Sequence, residues 1–358
     1  MVYNFSAGPA MLPQSVLDAA YKEFYDYRGS GMSIMEINHR SVLFNELIDT
    51  AKQNLRDLLA IPDNYTILFL QGGAALQFSA VPMNLMKNRK AGFIITGHWA
   101  KRAFDEAKMY GEAVVLASSE DRAFSYIPDV SNLPITEDMD YVHICENNTI
   151  YGTRFVEMPD TKGVDLVSDM SSCILSEPID VSKYALIYAG AQKNIGTAGV
   201  TLVIVRNDLV TEDVLPGTPL VMRYKKQADS DSRFNTPPCY PIYICSKMFE
   251  WLNESGGLTA AKQRNQEKAD MLYDFIDNSK LYHGTVDKKY RSMTNVTFTT
   301  GDQDRDMEFV EDSKKYGFVS IKGHRYVGGL RASLYNAMPL GHVKALIEYM
   351  TKFEKEHL

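Results

Sequence analysis

Seven short apolar runs, rich in β-branched and aromatic residues, punctuate the first 205 residues, at 66–70, 92–96, 113–116, 141–145, 166–167, 186–188 and 200–205. Beside them lie stretches with helical spacing: 42–59, where Leu43, Leu47, Leu55 and Leu58 recur, then 75–86 and 100–110. Strands alternating with helices predict parallel βαβ units, and runs this continuously apolar suit a sheet covered on both faces. The pattern changes near Gly256-Gly257. A polar helix over 259–276 leads into strands at 295–299, 318–321 and 330–334, and a helix from 342 to about 354 follows, which predicts a smaller α+β domain. No repeat, low-complexity tract or long linker separates the two regimes. A tight interface with a cleft is expected, the kind of place where ligands bind.

The length, 358 residues, fits two or three domains. With 45% hydrophobic and 23% charged residues the composition is that of a folded globular chain, which removes disordered, collagen-like and coiled-coil readings. A net charge of -7 with no Lys/Arg run argues against a general nucleic-acid or membrane surface, so any cations that matter are locally placed. Cys145, Cys173, Cys239 and Cys245 have neither the paired spacing of a zinc site nor the density of a disulfide scaffold, and predict reduced thiols in a cytoplasmic protein. Nothing between Met1 and Ala10 looks like a secretory leader, and no apolar stretch approaches the ~18 residues that span a bilayer. The chain also lacks His/Glu metal spacing and a Gly-x-Ser-x-Gly nucleophile elbow, so no metal is expected.

Candidate chemistry gathers where strands end. One apolar run closes in Tyr188-Ala189-Gly190-Ala191-Gln192-Lys193-Asn194-Ile195-Gly196, and the small residues around Lys193 let another molecule approach the backbone closely. Upstream, Asp169 closes the run that starts at Val164, at the carboxyl end of a strand, where open α/β sheets bind ligands. An aspartate and a lysine so placed suit pyridoxal phosphate, with the lysine as Schiff-base former and the acid opposite the pyridinium nitrogen. A helix N-cap aspartate beside Ser171 and Ser172 is the plainer alternative. Gln71-Gly72-Gly73-Ala74-Ala75, between a strand and a helix, offers free N–H groups to a phosphate, although a tight turn explains it as well. It is not the dinucleotide fingerprint. Trp99, in Gly97-His98-Trp99, stands at a strand end where it can stack on a flat ring or simply pack in the core. Two His-Arg pairs, His39-Arg40 and His324-Arg325, together with Arg331, form a cationic set suited to a substrate carrying both a carboxylate and a phosphate.

Taken together these residues closely resemble the phosphoserine aminotransferase family, along nearly the whole chain. The resemblance runs from Asn4-Phe5-Ser6-Ala7-Gly8-Pro9-Ala10 through His39-Arg40-Ser41, Gln71-Gly72-Gly73-Ala74, Gly97-His98-Trp99, Asn147-Asn148-Thr149-Ile150-Tyr151-Gly152, Asp169-Met170-Ser171-Ser172, Ala191-Gln192-Lys193-Asn194 and Asn235-Thr236-Pro237-Pro238 to Gly328-Gly329-Leu330-Arg331-Ala332-Ser333-Leu334-Tyr335-Asn336-Ala337. It implies an α/β protein of the pyridoxal-phosphate fold type I. A large domain (16–258) would carry a mainly parallel seven-stranded sheet, a small α+β domain would occupy 259–358, and an N-terminal segment (1–15) would pack with the small domain. Position by position, it implies that Lys193 holds pyridoxal 5'-phosphate covalently, Asp169 pairs with its ring nitrogen, Trp99 stacks on the ring and Thr149 bonds near its phenolic oxygen. Ala74 and Ala75 would offer backbone N–H groups to its phosphate, with Gln192 beside it and Asn235 and Thr236 arriving from the other subunit of a homodimer. Arg331 would take the substrate α-carboxylate, and His39, Arg40, His324 and Arg325 its phosphate end, the last two also from the partner chain. In part of that family an arginine aligned with Ala75 helps hold this phosphate, and here no side chain is available.

The reaction so implied is transamination between L-glutamate and 3-phosphohydroxypyruvate, giving 2-oxoglutarate and O-phospho-L-serine for serine biosynthesis; a related phosphorylated substrate of pyridoxine biosynthesis falls within the same resemblance. The readings set against it are an aminotransferase of serine–glyoxylate or alanine–glyoxylate type, which should not need the His-Arg pairs, a non-catalytic cofactor-binding scaffold, and a nucleotide-binding α/β protein.

Overall fold

In the computed structural model, which describes residues 1–358, each of the seven apolar runs becomes a strand of one sheet. In chain order the elements are β1 (Tyr3–Asn4), α1 (Gln14–Glu23), α2 (Val42–Leu59), β2 (Tyr65–Leu70), α3 (Gly73–Leu85), β3 (Lys90–Ile95), α4 (His98–Ala107), β4 (Glu112–Ser118), β5 (Tyr141–Cys145), β6 (Asn147–Asn148), β7 (Thr153–Arg154), β8 (Leu166–Asp169), β9 (Leu186–Gly190) and β10 (Thr201–Arg206). They continue with α5 (Tyr224–Asp229), α6 (Cys239–Glu254), α7 (Gly257–Asn278), β11 (His283–Gly284), β12 (Asn295–Thr299), α8 (Gln303–Lys315), β13 (Phe318–Val319), β14 (Leu330–Ser333) and α9 (Leu340–His357).

The large sheet has the order β2-β10-β9-β8-β5-β3-β4, and only β10 runs against the rest. Alternate residues of each strand feed opposite cores, as the pleat requires. In β9, Ile187 and Ala189 join the core that includes Leu47 and Leu55 of α2 and Phe249 of α6, while Leu186 and Tyr188 join the one that includes Phe78 of α3 and Ala103 of α4. Apolar runs without polar interruption are therefore what this double covering demands. Helix α2 begins at Ser41, whose Oγ accepts from the Phe44 N–H at 3.3 Å. It buries Phe44, Leu47, Ile48, Ala51, Leu55 and Leu59, with Leu43 and Leu58 flanking that face.

The carboxyl-terminal part builds a second core from α7, α8, α9, β12 and β14, into which Phe5 also inserts. Helix α7 serves both cores: Leu258 and Ala261 belong to the first, and Ala269, Leu272, Tyr273 and Ile276 to the second. The run at 318–321 forms only the two-residue β13, which pairs in parallel with β1 instead of joining the β11-β12-β14 sheet. Helix α8 has no counterpart in the sequence reading because it is almost wholly polar; Phe309 and Val310 are its buried hydrophobic residues, and Asp302 caps its first turn. No helix is long and apolar enough to cross a membrane.

Burial leaves one basic group of the large sheet uncharged. His143 of β5 is 2% exposed, its Nε2 lies 2.8 Å from the Tyr188 hydroxyl, and its Nδ1 has no partner. Desolvation pushes its pKa down from 6.5 to about 3. The unfolded chain therefore binds this proton first, so the stability contributed by neutral His143 is full above pH 6.5 and is lost as pH falls toward 3. Thermal melts at pH 7.5 and 5 should show the parent losing about 2 kcal/mol more than His143→Gln, which cannot titrate. Equal losses in the two proteins would contradict this.

Candidate active site

Because β2, β3, β5, β8 and β9 run parallel, their carboxyl ends share one edge of the sheet. Gln71-Gly72, Gly97-His98-Trp99, Asn147-Asn148-Thr149, Asp169 and Ala191-Gln192-Lys193 all follow strand ends there. Strand pairing sets Asp169 opposite Cys145 on one side and Tyr188 on the other. The Ser171 N–H donates to Asp169 Oδ1 at 2.9 Å, and Ser171 Oγ accepts from the Gly190 N–H at 3.0 Å, which fixes the end of β8 against the end of β9. The N-cap alternative is thus partly realised: the aspartate does hold the following turn, with a second carboxylate oxygen left over for other work.

Lys193 Nζ donates to Thr149 Oγ1 at 2.7 Å, and the Thr149 carbonyl accepts from Arg331 Nη1 at 3.3 Å. Burial pushes the Lys193 ammonium below the ordinary lysine value, and the Asp169 charge opposes that fall. Burial likewise pushes the Asp169 carboxyl up, and Lys193 opposes it. Each group thus supports the charged form of the other in a poorly solvated place. Arg331, on β14 and lowered by burial, keeps its Nε buried and unpartnered. A half-buried guanidinium with a free, buried donor is a place for an anion.

The structure brings Lys193, Thr149, Asp169 and Arg331 into one cluster, and collects the other candidates in neighbouring groups. Gln71 Nε2 donates to the Thr236 carbonyl at 2.6 Å, and Gly72 and Asn235 line one cavity of about 260 Å³. Asn235 and Thr236 therefore lie beside this chain's own phosphate-cradle turn. Helix α3 starts there with no side-chain cap, so the N–H groups of Gly73, Ala74 and Ala75 have no helical acceptor, and a Cβ added at Gly73 would meet nothing within 4 Å. Trp99 sits on the first turn of α4, half-buried, its ring centroid 5.0 Å from that of His98. Gln192 is half-buried, and its carbonyl accepts from the Ala10 N–H. His39 keeps a buried, unpartnered Nε2 and is pushed down by burial, then by Arg40 and Arg233. His324 is pushed down by burial, then by Arg331, His98 and Arg325. The two His-Arg pairs thus answer to different neighbours, and Arg40 and Arg325 are both exposed.

Two features of the site had no local signal. A Cβ on Gly8, whose φ is +144°, would stand 3.1 Å from Lys193 Cγ, so the amino-terminal segment runs along the lysine as well as along the small domain. A buried amide network also joins the two domains directly beneath the site. Asn147 Nδ2 donates to Ser172 Oγ (2.8 Å) and Asn295 Oδ1 (2.9 Å), and Asn295 Nδ2 to Ser333 Oγ (3.0 Å), while the Tyr335 hydroxyl donates to the Ala7 carbonyl (2.8 Å). Satisfied buried networks of this kind hold one arrangement of the elements that carry them.

The donor set fits pyridoxal 5'-phosphate. A half-buried primary amine, a buried acid at the neighbouring strand end, an uncapped helix start with open space at Gly73 and a guanidinium whose Nε is buried and unpartnered are the groups that such a cofactor and an amino-acid substrate need. The model of the aminotransferase class-V family matches residues 2–346. A phosphoserine aminotransferase of Bacillus cereus is 50% identical over 357 residues, 99% of each chain. Among solved structures, the phosphoserine aminotransferase from Bacillus circulans subsp. alkalophilus superposes with a TM-score of 0.98 at 44% identity, covering 100% of this chain and 99% of that one. The pyridoxal-phosphate-bound phosphoserine aminotransferase of Trichomonas vaginalis gives a TM-score of 0.94 at 38% identity, covering 98% and 100%.

Proposed function

The chain belongs to the phosphoserine aminotransferases of class V, and we infer from its site how its residues divide the work. It is a transaminase: the amino group of L-glutamate passes to 3-phosphohydroxypyruvate, giving 2-oxoglutarate and O-phospho-L-serine. The observation that carries the assignment of roles is the pairing of half-buried Lys193 with buried Asp169, with Thr149 on the amine.

Pyridoxal 5'-phosphate, when bound, supplies the carbonyl that receives the amino group and the ring that takes up the electron pair as Cα loses its proton. Lys193 would hold it covalently, Asp169 would face its ring nitrogen, Trp99 its ring and Thr149 its phenolic oxygen. The Ala74 and Ala75 N–H groups and Gln192 would hold its phosphate, together with Asn235 and Thr236 supplied by the second copy of the chain. Lys193 Nζ then takes the proton from the substrate Cα and returns one later. Its lowered pKa leaves a larger neutral fraction for that task than an exposed lysine has. Arg331 binds the α-carboxylate, since its Nε is buried and free, and so aims Cα at Lys193. His39 and Arg40, with His324 and Arg325 supplied by the second copy of the chain, hold the distal phosphate.

A homodimer is the assembly we propose. Exposed Met35, Val42, Leu76, Val221 and Phe234 lie near the Gly72–Asn235 cavity and the His39-Arg40 turn, and a second copy would cover this apolar rim. The four unpaired cysteines support a cytoplasmic setting. The test of the reaction is a comparison of acceptors with glutamate as donor. Turnover with 3-phosphohydroxypyruvate and not with glyoxylate supports the reading, and preference for glyoxylate would replace it with the glyoxylate-type aminotransferase.

A further inference from the structure

The loop between Gly323 and Gly329 is a built structure. The Gly323 N–H donates to the Gly329 carbonyl at 2.8 Å, and the Val327 and Gly328 N–H groups both donate to the His324 carbonyl at 2.9 Å. A Cβ on Gly323 would lie 1.9 Å from the Gly328 carbonyl oxygen, so the neck of the loop closes only around glycine. At its tip stands Tyr326, half-exposed at 52% and absent from the cofactor and substrate contacts assigned above.

Tyr326 touches every charged or titratable group of the tip. Arg325 Nη2 donates to its hydroxyl at 3.2 Å, and the Arg325 guanidinium lies 5.0 Å from its ring centroid. The His324 ring centroid is 4.9 Å away, and the Tyr326 N–H points to His324 Nδ1 at 3.4 Å. A donor at Nδ1 leaves the ring proton on Nε2, so His324 can donate through Nε2. On its other side Tyr326 meets the large domain: the His98 ring is 4.6 Å from its own, and His98 in turn is 5.0 Å from Trp99. Arg325, Tyr326, His98 and Trp99 thus form a continuous chain of contacts from the loop to the first turn of α4.

We propose that Tyr326, braced by His98 across the domain interface, is a specificity-determining positioning residue that fixes Arg325 and His324 to receive the doubly charged phosphate of the substrate. This rests on the assignment of those two cations to the phosphate. An arginine on an exposed loop otherwise samples many rotamers and must be ordered at each binding event; a ring beneath it and a hydroxyl on one fork nitrogen remove part of that cost. The effect should fall only on substrates with a distal anion of this kind.

The experiment uses the holoenzyme and single-turnover absorbance kinetics with O-phosphoserine, and with alanine as the donor that has the same α-carboxylate and amine but no distal charge. Tyr326→Phe keeps the ring contacts and loses the hydroxyl; Tyr326→Ala loses both. We expect the phosphoserine-to-alanine ratio of second-order rate constants to fall about threefold in the first and about tenfold or more in the second, with alanine rates within a factor of about two. The loss should sit in the apparent affinity for phosphoserine and leave its saturated rate in place. Arg325→Ala separates the two layers of the argument. If it lowers the ratio and the Tyr326 variants do not, positioning by Tyr326 is wrong and the phosphate assignment stands. If Arg325→Ala leaves the ratio unchanged, the phosphate assignment itself fails. Equal losses for both donors in Tyr326→Ala would mark a merely structural role and overturn the proposal.

Discussion

Lys193→Ala should lower turnover by at least about 10⁴-fold, in both half-reactions alike, because the same Nζ would carry the Cα proton in each. The two directions share one substrate Cα position and one amine, held by Thr149 and lowered by burial. Truncation leaves Asp169 buried beside an empty space, so its carboxyl, already raised by burial, loses the opposing charge and rises further. The fold should persist, since the β8–β9 junction is held by Ser171 and not by the lysine. Single-turnover kinetics with O-phosphoserine and, separately, with glutamate provide the check. A variant that lost one half-reaction and kept the other would show that a different group moves the Cα proton.

Asp169→Asn is expected to cost about 10²–10⁴ in kcat with substrate affinity much less affected. The amide can still accept from the Ser171 N–H, so the turn after β8 stays in place and the change is electrostatic. Two consequences follow from removing one negative charge from a poorly solvated cluster. A protonated ring nitrogen on the bound cofactor would lose its counter-ion, which would weaken the ring's hold on the electron pair. Lys193 loses the charge that opposes desolvation, so its pKa falls further. The acid limb of the kcat–pH profile should then move to lower pH in the variant. An unchanged kcat would remove Asp169 from the mechanism and return it to the plainer role of holding a turn.

What the sequence makes legible here follows from what periodicity can encode. The seven apolar runs locate the large sheet because a doubly covered strand needs an unbroken apolar stretch, and Asp169 and Lys193 stand out because each closes such a run. The strand expected at 318–321 forms over Phe318–Val319 only, and its partner, β1, lies more than three hundred residues away, a pairing no local pattern announces. Helix α8 escapes because two buried hydrophobic residues in thirteen give no stripe to detect. The approach of Gly8 to Lys193, the Asn147–Asn295 contact and the Tyr326–His98 contact escape for a related reason. Isolated glycines, amides and aromatics acquire meaning only when the fold has set them against a partner.

With alanine at position 75, the selectivity we propose for the phosphate end rests on the two His-Arg pairs, with Tyr326 ordering one of them. A spectral titration of the holoenzyme with O-phosphoserine, beside serine and alanine at the same concentrations, reads this selectivity. Phosphoserine should convert the cofactor's absorbance to that of its aminated form at concentrations where serine and alanine leave it unchanged, a preference of about 10²-fold or more. Conversion by serine or alanine at the same concentrations would contradict it, leaving Lys193 and Asp169 in their roles but denying the cations theirs.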